Sequence, residues 1–260
     1  MSYKMEAIGF QYMIFFSAFV ACFNEERRIF QSLVKIEKAL SLCGKTFEII
    51  VIDDASNDNS EKSILRFLKK SRCKNIIFKK NGINKGLGFN YVEASFLAKG
   101  KYFRFFSGDD VESSQEILKL LRHIGQADIV IPYFDYKQFK RGLLRDTLSK
   151  IYNSLCRIAS GHNIRYFNGS ILVKTQDVRR WHSYSRGFGF QADFLGRLLD
   201  LKRSYVEVQV FPLKDQKNKS HAFLFRNIIS VIFNLLEIFQ RRMIKYIYNN
   251  IYKNWSYFDS

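Results

Sequence analysis

Proline is nearly absent from this chain: Pro132 and Pro212 are the only two in 260 residues. With just fourteen glycines, that excludes collagen-like, mucin-like and proline-rich linker architectures. Cysteine is equally sparse. Cys22, Cys43, Cys73 and Cys156 lie far apart with no C-x-x-C pair, which excludes a zinc ribbon or disulfide framework and suits a reducing compartment. Long hydrophobic runs are missing too. The apolar stretch Phe15 to Phe23 falls short of the roughly 20 residues that cross a bilayer. It runs into Asn24-Glu25-Glu26 without a cleavage site, unlike a signal peptide. Asn227 to Leu236 is broken by Glu237 and Arg241-Arg242, which suits lying on a membrane better than spanning one. The histidines, His123, His162, His182 and His221, show no metal-ligand spacing.

Acidic residues are in short supply, 24 against 42 Lys+Arg, for a net charge of +18. The excess is uneven: residues 1–129 carry 20 basic and 15 acidic side chains, residues 130–260 carry 22 and 9. A basic second half implies a polyanionic partner, whether nucleic acid, anionic lipid head groups or a phosphorylated substrate. What remains is globular in composition, with 47% hydrophobic and 25% charged residues and enough length for a large buried core.

The first half alternates strand and helix periods. Phe15–Cys22 is a continuous apolar run, as in a strand covered on both faces, and Phe47-Glu48-Ile49-Ile50-Val51-Ile52 reads as a second buried strand. Between them Ile29, Leu33, Ile36 and Leu40 recur at helical spacing. Asn59 or Ser60 is placed to cap the next helix, and Ser113 or Ser114 a later one. Further strands are expected at Asn75–Phe78, Tyr102–Phe106 and Asp128–Ile131, with a helix from about Gly88 to Ala98. Repeated β-α-β units give a mostly parallel sheet with helices on both faces. The second half breaks the rhythm. It predicts an amphipathic helix from Phe139 to Ala159, short strands near Ile171–Val173 and Tyr205–Val210, and a helix near Gln191–Leu199. We expect one α/β domain over residues 1–221 and an aromatic-rich amphipathic helical tail over 222–260.

In such a sheet ligands bind at the carboxyl ends of the strands, where the strand order switches. Here those ends read Ala21-Cys22-Phe23-Asn24-Glu25, Asp53-Asp54-Ala55-Ser56-Asn57-Asp58 and Ser107-Gly108-Asp109-Asp110. Acidic clusters facing one crevice repel unless a cation joins them, and a divalent ion with open positions can also hold a diphosphate. Asn84-Lys85-Gly86-Leu87-Gly88 opens a helix, whose N-terminus favours phosphate. It lacks the third glycine of a dinucleotide fingerprint, and no G-x-x-x-x-G-K-[ST] is present.

Taken in order, these motifs resemble the family 2 glycosyltransferases of the GT-A fold, most closely the branch of dolichol-phosphate mannose synthase and polyprenyl-phosphate sugar transferases. Phe23-Asn24-Glu25 is similar to the family's Y-N-E, with Ala21 in place of its usual proline. Glu48 to Asp58 resembles E-I-I-V-V-D-D-G-S-T-D, and Asn84 to Gly88 resembles N-x-G-x-G. Phe167-Asn168-Gly169, Gly187 to Asp193 and Tyr205-Val206-Glu207-Val208 resemble the acceptor-side segments and the strand before a mobile basic loop.

The resemblance implies an inverting, metal-dependent transferase. Ala21, Phe23, Glu25, Asp53, Asp54, Lys85 and Gly86 would bind the nucleotide sugar. Asp109 would hold Mg²⁺ or Mn²⁺ although Ser107 stands where the first Asp of D-x-D is usual. Asp110 and Asp193 would be catalytic. Gln191, Lys214, Lys217 and Lys219 would bind the acceptor or its phosphate, the lysines replacing cations lost at Asp215 and His221. The implied partners are a nucleotide-sugar donor, a polyprenyl-phosphate or other lipid-linked acceptor and an anionic membrane surface, with the enzyme peripheral on the cytoplasmic face. A homo-oligomer through the C-terminal helices is a further expectation. A saccharide acceptor is the alternative within this class. A basic nucleic-acid binder or a non-catalytic membrane scaffold is the alternative outside it, and nucleic acid is disfavoured because acidic strand ends repel a phosphate backbone.

Overall fold

A computed structural model describes residues 14–135, 143–181, 189–211, 213 and 225–252. The first part of the chain winds outward and back: β1 (Phe16–Cys22), α1 (Ile29–Leu42), β2 (Phe47–Asp53), α2 (Ser60–Lys70), β3 (Ile76–Lys80), α3 (Leu87–Leu97), β4 (Tyr102–Ser107), α4 (Ser114–Leu121) and β5 (Ile129–Tyr133). Then follow α5 (Leu143–Ser160), β6 (Leu172–Lys174), α6 (Thr175–Arg179), α7 (Phe190–Asp200), β7 (Tyr205–Gln209), α8 (Phe225–Ile247) and a π-helical turn, Tyr248–Tyr252.

Among the described residues the sheet has seven strands in the order β3-β2-β1-β4-β6-β5-β7. All pairings are parallel except those of β6, which runs antiparallel to both β4 and β5. Successive side chains of a strand point to opposite faces, and β1 and β2 are apolar on both. Phe19, Ile50 and Ile52 join the core beneath α3, α5, α7 and α8; Ala18, Val20, Ile49 and Val51 join the core beneath α1, α2 and α4. Each fully buried Phe, Val or Ile among them contributes about 1.5–3 kcal/mol by leaving water. Ser113 caps α4 by accepting from the Glu116 N–H (3.2 Å), as its position suggested. Asn59 occupies the N-cap of α2, but Asp58 serves the exposed donors, its Oδ1 accepting from the Ser60 N–H at 2.9 Å.

The chain leaves β1 toward β2 and β3, then returns to β4 on the other side of β1, so the switch in strand order lies between β1 and β4. Register brings these ends level: Cys22 stands opposite Asp53, and Ala21 opposite Ser107. Two features add to the expected layout. The reversal of β6 was not anticipated. The tail helix is joined to the body: α8 packs on α5 and α7, and Ile238 is buried in the main core. The expected boundary at residue 221 lies outside the described residues, as does the start of the helix expected from Phe139.

Candidate functional site

The loop after β1 is built by the loop after β2. Ser56 Oγ accepts from the Asn24 N–H (2.9 Å), Ser60 Oγ from Glu25 (2.8 Å) and Asp58 Oδ2 from Glu26 (3.1 Å), while Asn24 Oδ1 accepts from the Asn57 N–H (2.9 Å). Asn24 and Ala55 take positive φ, 56° and 63°, at these sharp turns. The residues that resembled two separate motifs are thus one hydrogen-bonded unit. Phe23 projects from it with its ring half in solvent, and Ala21 is partly buried behind it.

The neighbouring aspartates at the end of β2 have different duties. Asp54 uses both oxygens on the protein: Oδ1 accepts from Asn81 Nδ2 (2.8 Å) and the Lys85 N–H (2.9 Å), and Oδ2 from the Gly86 N–H (2.8 Å). It shapes the turn into α3, where Gly86 has φ 88°, a conformation costly for any residue with a Cβ. The Lys85 ammonium lies over the Phe89 ring, 4.8 Å from its centroid, and 3.8 Å from Glu93. Asp53 is fully buried; its Oδ1 accepts from the Ser56 N–H and hydroxyl, but its Oδ2 has no hydrogen-bond partner. A buried carboxylate oxygen left so is expensive unless a ligand meets it.

The end of β4 shows the same deficit. Gly108 donates to the Ala21 carbonyl (2.9 Å) so closely that a Cβ there would lie 2.8 Å from that oxygen and 2.9 Å from Ile29 Cδ1. The close approach turns Asp109 and Asp110 toward β1 and α1. Asp109 Oδ1 and Asp110 Oδ1 are both buried without a hydrogen-bond partner. Burial pushes the Asp109 carboxyl above its ordinary value; the nearby Glu112 charge adds to this, while the Ser107 hydroxyl and Arg28 oppose it. Glu25 is pushed up to about 7, first by burial and then by the Asp109 charge, with Arg28 pulling it down. These two carboxylates therefore sense each other across the crevice.

Three residues of this site escaped the sequence reading. Arg28 lies 3.7 Å from Glu25, Ser32 Oγ donates to the Ser107 carbonyl (3.0 Å), and Lys35 Nζ donates to Asp110 Oδ2 (2.8 Å). They recur at i, i+4 and i+7, a polar line beside the apolar stripe of α1 that was legible as a second face. Arg104, buried in β4, anchors the loop from below through Glu112 (2.7 Å).

On the acceptor side the expectations fare differently. Gln191 lies at the start of α7 with a buried Oε1 that has no partner, beside a cavity of only about 10 Å³ lined also by Tyr91, Phe105 and Ser170. Asp193 is fully buried. Its Oδ2 accepts from Trp181 Nε1 (3.2 Å) and Arg197 Nε (2.9 Å), and its Oδ1 from Arg241 of α8. Three donors and no exposed surface make Asp193 an anchor of α8 and engage both of its oxygens within the protein. Lys214, Lys217 and Lys219 lie outside the described residues.

The donor set suits a divalent cation of the Mg²⁺ or Mn²⁺ type, with hard carboxylate oxygens left unpartnered. Among the described residues no three or more His, Cys, Asp or Glu side chains form a complete metal cage.

A mostly parallel sheet, acidic strand ends level at its switch point and a glycine-opened helix beside them define an open-sheet α/β protein with a polar crevice at the carboxyl ends of its strands. The chain matches the Glycosyl transferase family 2 model over residues 17–183, more than half its length, and belongs to that family. It is 28% identical over 155 residues to the UDP-Glc:alpha-D-GlcNAc-diphosphoundecaprenol beta-1,3-glucosyltransferase WfaP of Escherichia coli, covering 58% of this chain and 56% of that one. It is 37% identical over 90 residues to the MG060 homolog, an uncharacterized glycosyltransferase of Mycoplasma pneumoniae, covering 34% and 30%. The chain thus spans under two thirds of these relatives. The glucosyl-3-phosphoglycerate synthase of Mycobacterium tuberculosis in complex with Mg²⁺ and UDP superposes with a TM-score of 0.67 at 15% identity, over 86% of this chain and 79% of that one. Its complex with Mn²⁺, UDP-glucose and phosphoglyceric acid gives 0.67 at 16%, over 87% and 80%. At that identity the likeness establishes the GT-A fold.

Proposed function

We propose that this glycosyltransferase is metal-dependent and inverting, and that it moves a sugar from a nucleotide sugar to a lipid-linked acceptor. The observation that carries the reading is the set of unpartnered buried carboxylate oxygens, of Asp53, Asp109 and Asp110, at one switch point. UDP-glucose is the first donor to test, because WfaP is named for it and the mycobacterial synthase was crystallised with it. A diphosphate-linked polyprenyl saccharide is the first acceptor, on the WfaP likeness. The reading includes no nucleic-acid partner.

In this account Asp53 Oδ2 meets the nucleoside, with Phe23 and Ala21 walling the base. Asp54 contributes indirectly, by holding the Lys85-Gly86 turn. Asp109 and Glu25 would hold the cation and the diphosphate bound to it. Such an ion, when bound, neutralises charge developing on the departing diphosphate. Asp110 is the carboxylate left for an acceptor hydroxyl, with Lys35 fixing its other oxygen and orienting Oδ1. An acceptor that is already a phosphate needs no base, and Asp110 then only positions it. Gln191 and the lysines 214, 217 and 219 complete the acceptor side.

The test is transfer of radiolabelled glucose from UDP-glucose into an extractable lipid-linked GlcNAc-diphosphate acceptor. We expect label in the lipid phase, lost with chelator and restored by Mg²⁺ or Mn²⁺. Chelator-insensitive transfer overturns the metal, and label appearing only on free saccharide overturns the acceptor.

A further inference from the structure

The two faces of α8 differ in their surroundings. The inner face is fixed to the body: Ile238 is buried, Arg241 pairs with Asp193, Lys245 lies 3.6 Å from Asp200 and Arg242 donates to the Ile158 carbonyl of α5 (2.6 Å). On the opposite face Ile232, Leu236, Phe239, Met243 and Ile247 recur at i, i+4, i+7, i+11 and i+15, all exposed, Leu236 by 60%. The adjacent α5 repeats the arrangement. Asn153, Cys156 and Ala159 point inward, while Leu148, Ile151, Leu155 and Ile158 stand out, Ile158 by 68%. Apolar stripes on neighbouring helices make a patch of the kind that marks an interaction surface.

Charge selects the occupant. Among the exposed described residues of the two helices there is no acid: Asp146 is buried and Glu237 is partly so. Lys245 is turned to Asp200 on the inner face, which leaves Lys150 of α5 and Arg242, at the seam where α8 meets the Ile158 carbonyl, as the exposed charges that border the patch. A second copy applied face to face would bring these cations against their own counterparts. An anionic bilayer instead attracts each of them. Exposed Tyr246 and Tyr248 at the end of the stripe suit the head-group boundary. None of the described helices is long and apolar enough to cross a membrane. We infer that the paired outer faces of α5 and α8 form a docking surface that lies flat on an anionic lipid bilayer. This deepens the reading of a lipid-linked acceptor and rests on it for its purpose, but it is measured without substrate.

The experiment is flotation of the full chain with phosphatidylcholine vesicles, with and without phosphatidylglycerol, beside Leu236→Glu/Phe239→Glu and Ile151→Glu/Leu155→Glu. A chain cut before α8 is unsuitable, because it strips Arg241 from buried Asp193. Each variant should bind anionic vesicles at least about tenfold more weakly, since it keeps two apolar side chains from burial. Added salt should release the wild-type chain. Donor hydrolysis by UDP-glucose turnover without acceptor, and sedimentation as the wild-type species, should be unchanged. Undiminished flotation of both variants overturns the proposal, as does wild-type self-association that the variants abolish while vesicles capture nothing. Failure of the transferase reading shows separately, as absent donor turnover with flotation intact.

Discussion

Asp109, partly buried just past the end of β4, and Asp193, fully buried in the first turn of α7, sit in opposite environments. At the crevice, Asp109 keeps an unpartnered oxygen, its carboxyl is pushed up by burial, and its charge also raises Glu25. At the α7–α8 seam, Asp193 receives Trp181, Arg197 and Arg241. Burial of an acid therefore does not by itself mark chemistry; the accounting of its partners does. One region is incomplete until a ligand arrives, and the other is complete when the chain has folded.

The sharpest way to break this contrast is to neutralise each acid in turn. Asp109→Asn should lower transfer by about 100- to 1000-fold, the scale of losing a fixed electrostatic contact to the transition state, with the melting temperature held. Steady-state rates beside a thermal melt check both halves, and full activity would remove Asp109 from the site. Asp193→Ala should do the reverse. It removes an acceptor shared by Arg197, Arg241 and the buried Trp181 Nε1, while Arg241 keeps Asp200 (3.5 Å), a loss of about 1–3 kcal/mol in stability. Whatever stays folded at low temperature should keep most of its turnover. A stable, inactive Asp193→Ala would return the residue to catalysis.

Gly108→Ala tests how tightly β4 is held against β1. The added Cβ would meet the Ala21 carbonyl and Ile29, at 2.8 and 2.9 Å. Overpacking of this kind costs about 1–3 kcal/mol. Because the strain falls beside Asp109, nucleotide affinity should drop along with the denaturation midpoint. A neutral substitution would mean that the strand ends are less constrained than the distances indicate.

The smallest effect is one of pH. Glu25 stands at about 7 against an ordinary 4.5. Between those values the folded chain holds a proton that the unfolded chain has released. Its contribution thus makes the ligand-free protein less stable as pH rises through that window. Urea midpoints at pH 5 and 8 should differ less in Glu25→Gln than in the wild type, and equal differences would contradict the shift.

The contiguous parts of this picture were legible in the sequence. The runs at β1 and β2, the Asp53-Asp54 step and the glycine-opened turn before α3 are local signals, and the sheet and crevice follow from them. The reversal of β6 was not legible, because a three-residue strand carries no directional mark. Nor was the whole environment of Asp193: Arg197 at i+4 is a local signal, but Trp181 and Arg241, 12 and 48 residues away, complete its partners. Arg28, Ser32 and Lys35 fall between these cases. Their helical spacing was in view, but only the contact with the loop after β4 gives it meaning.

The central claim is that the unpartnered carboxylates form a metal-assisted nucleoside diphosphate site. Calorimetric titration with UDP tests it most directly, with Mg²⁺, with Mn²⁺ and with chelator, on the wild-type chain, Asp53→Ala, Asp109→Asn and Asp193→Asn. The account predicts binding that requires the cation, is lost in Asp109→Asn, is weakened in Asp53→Ala and survives in folded Asp193→Asn. Cation-independent binding, or binding undiminished in both Asp53→Ala and Asp109→Asn, would contradict it.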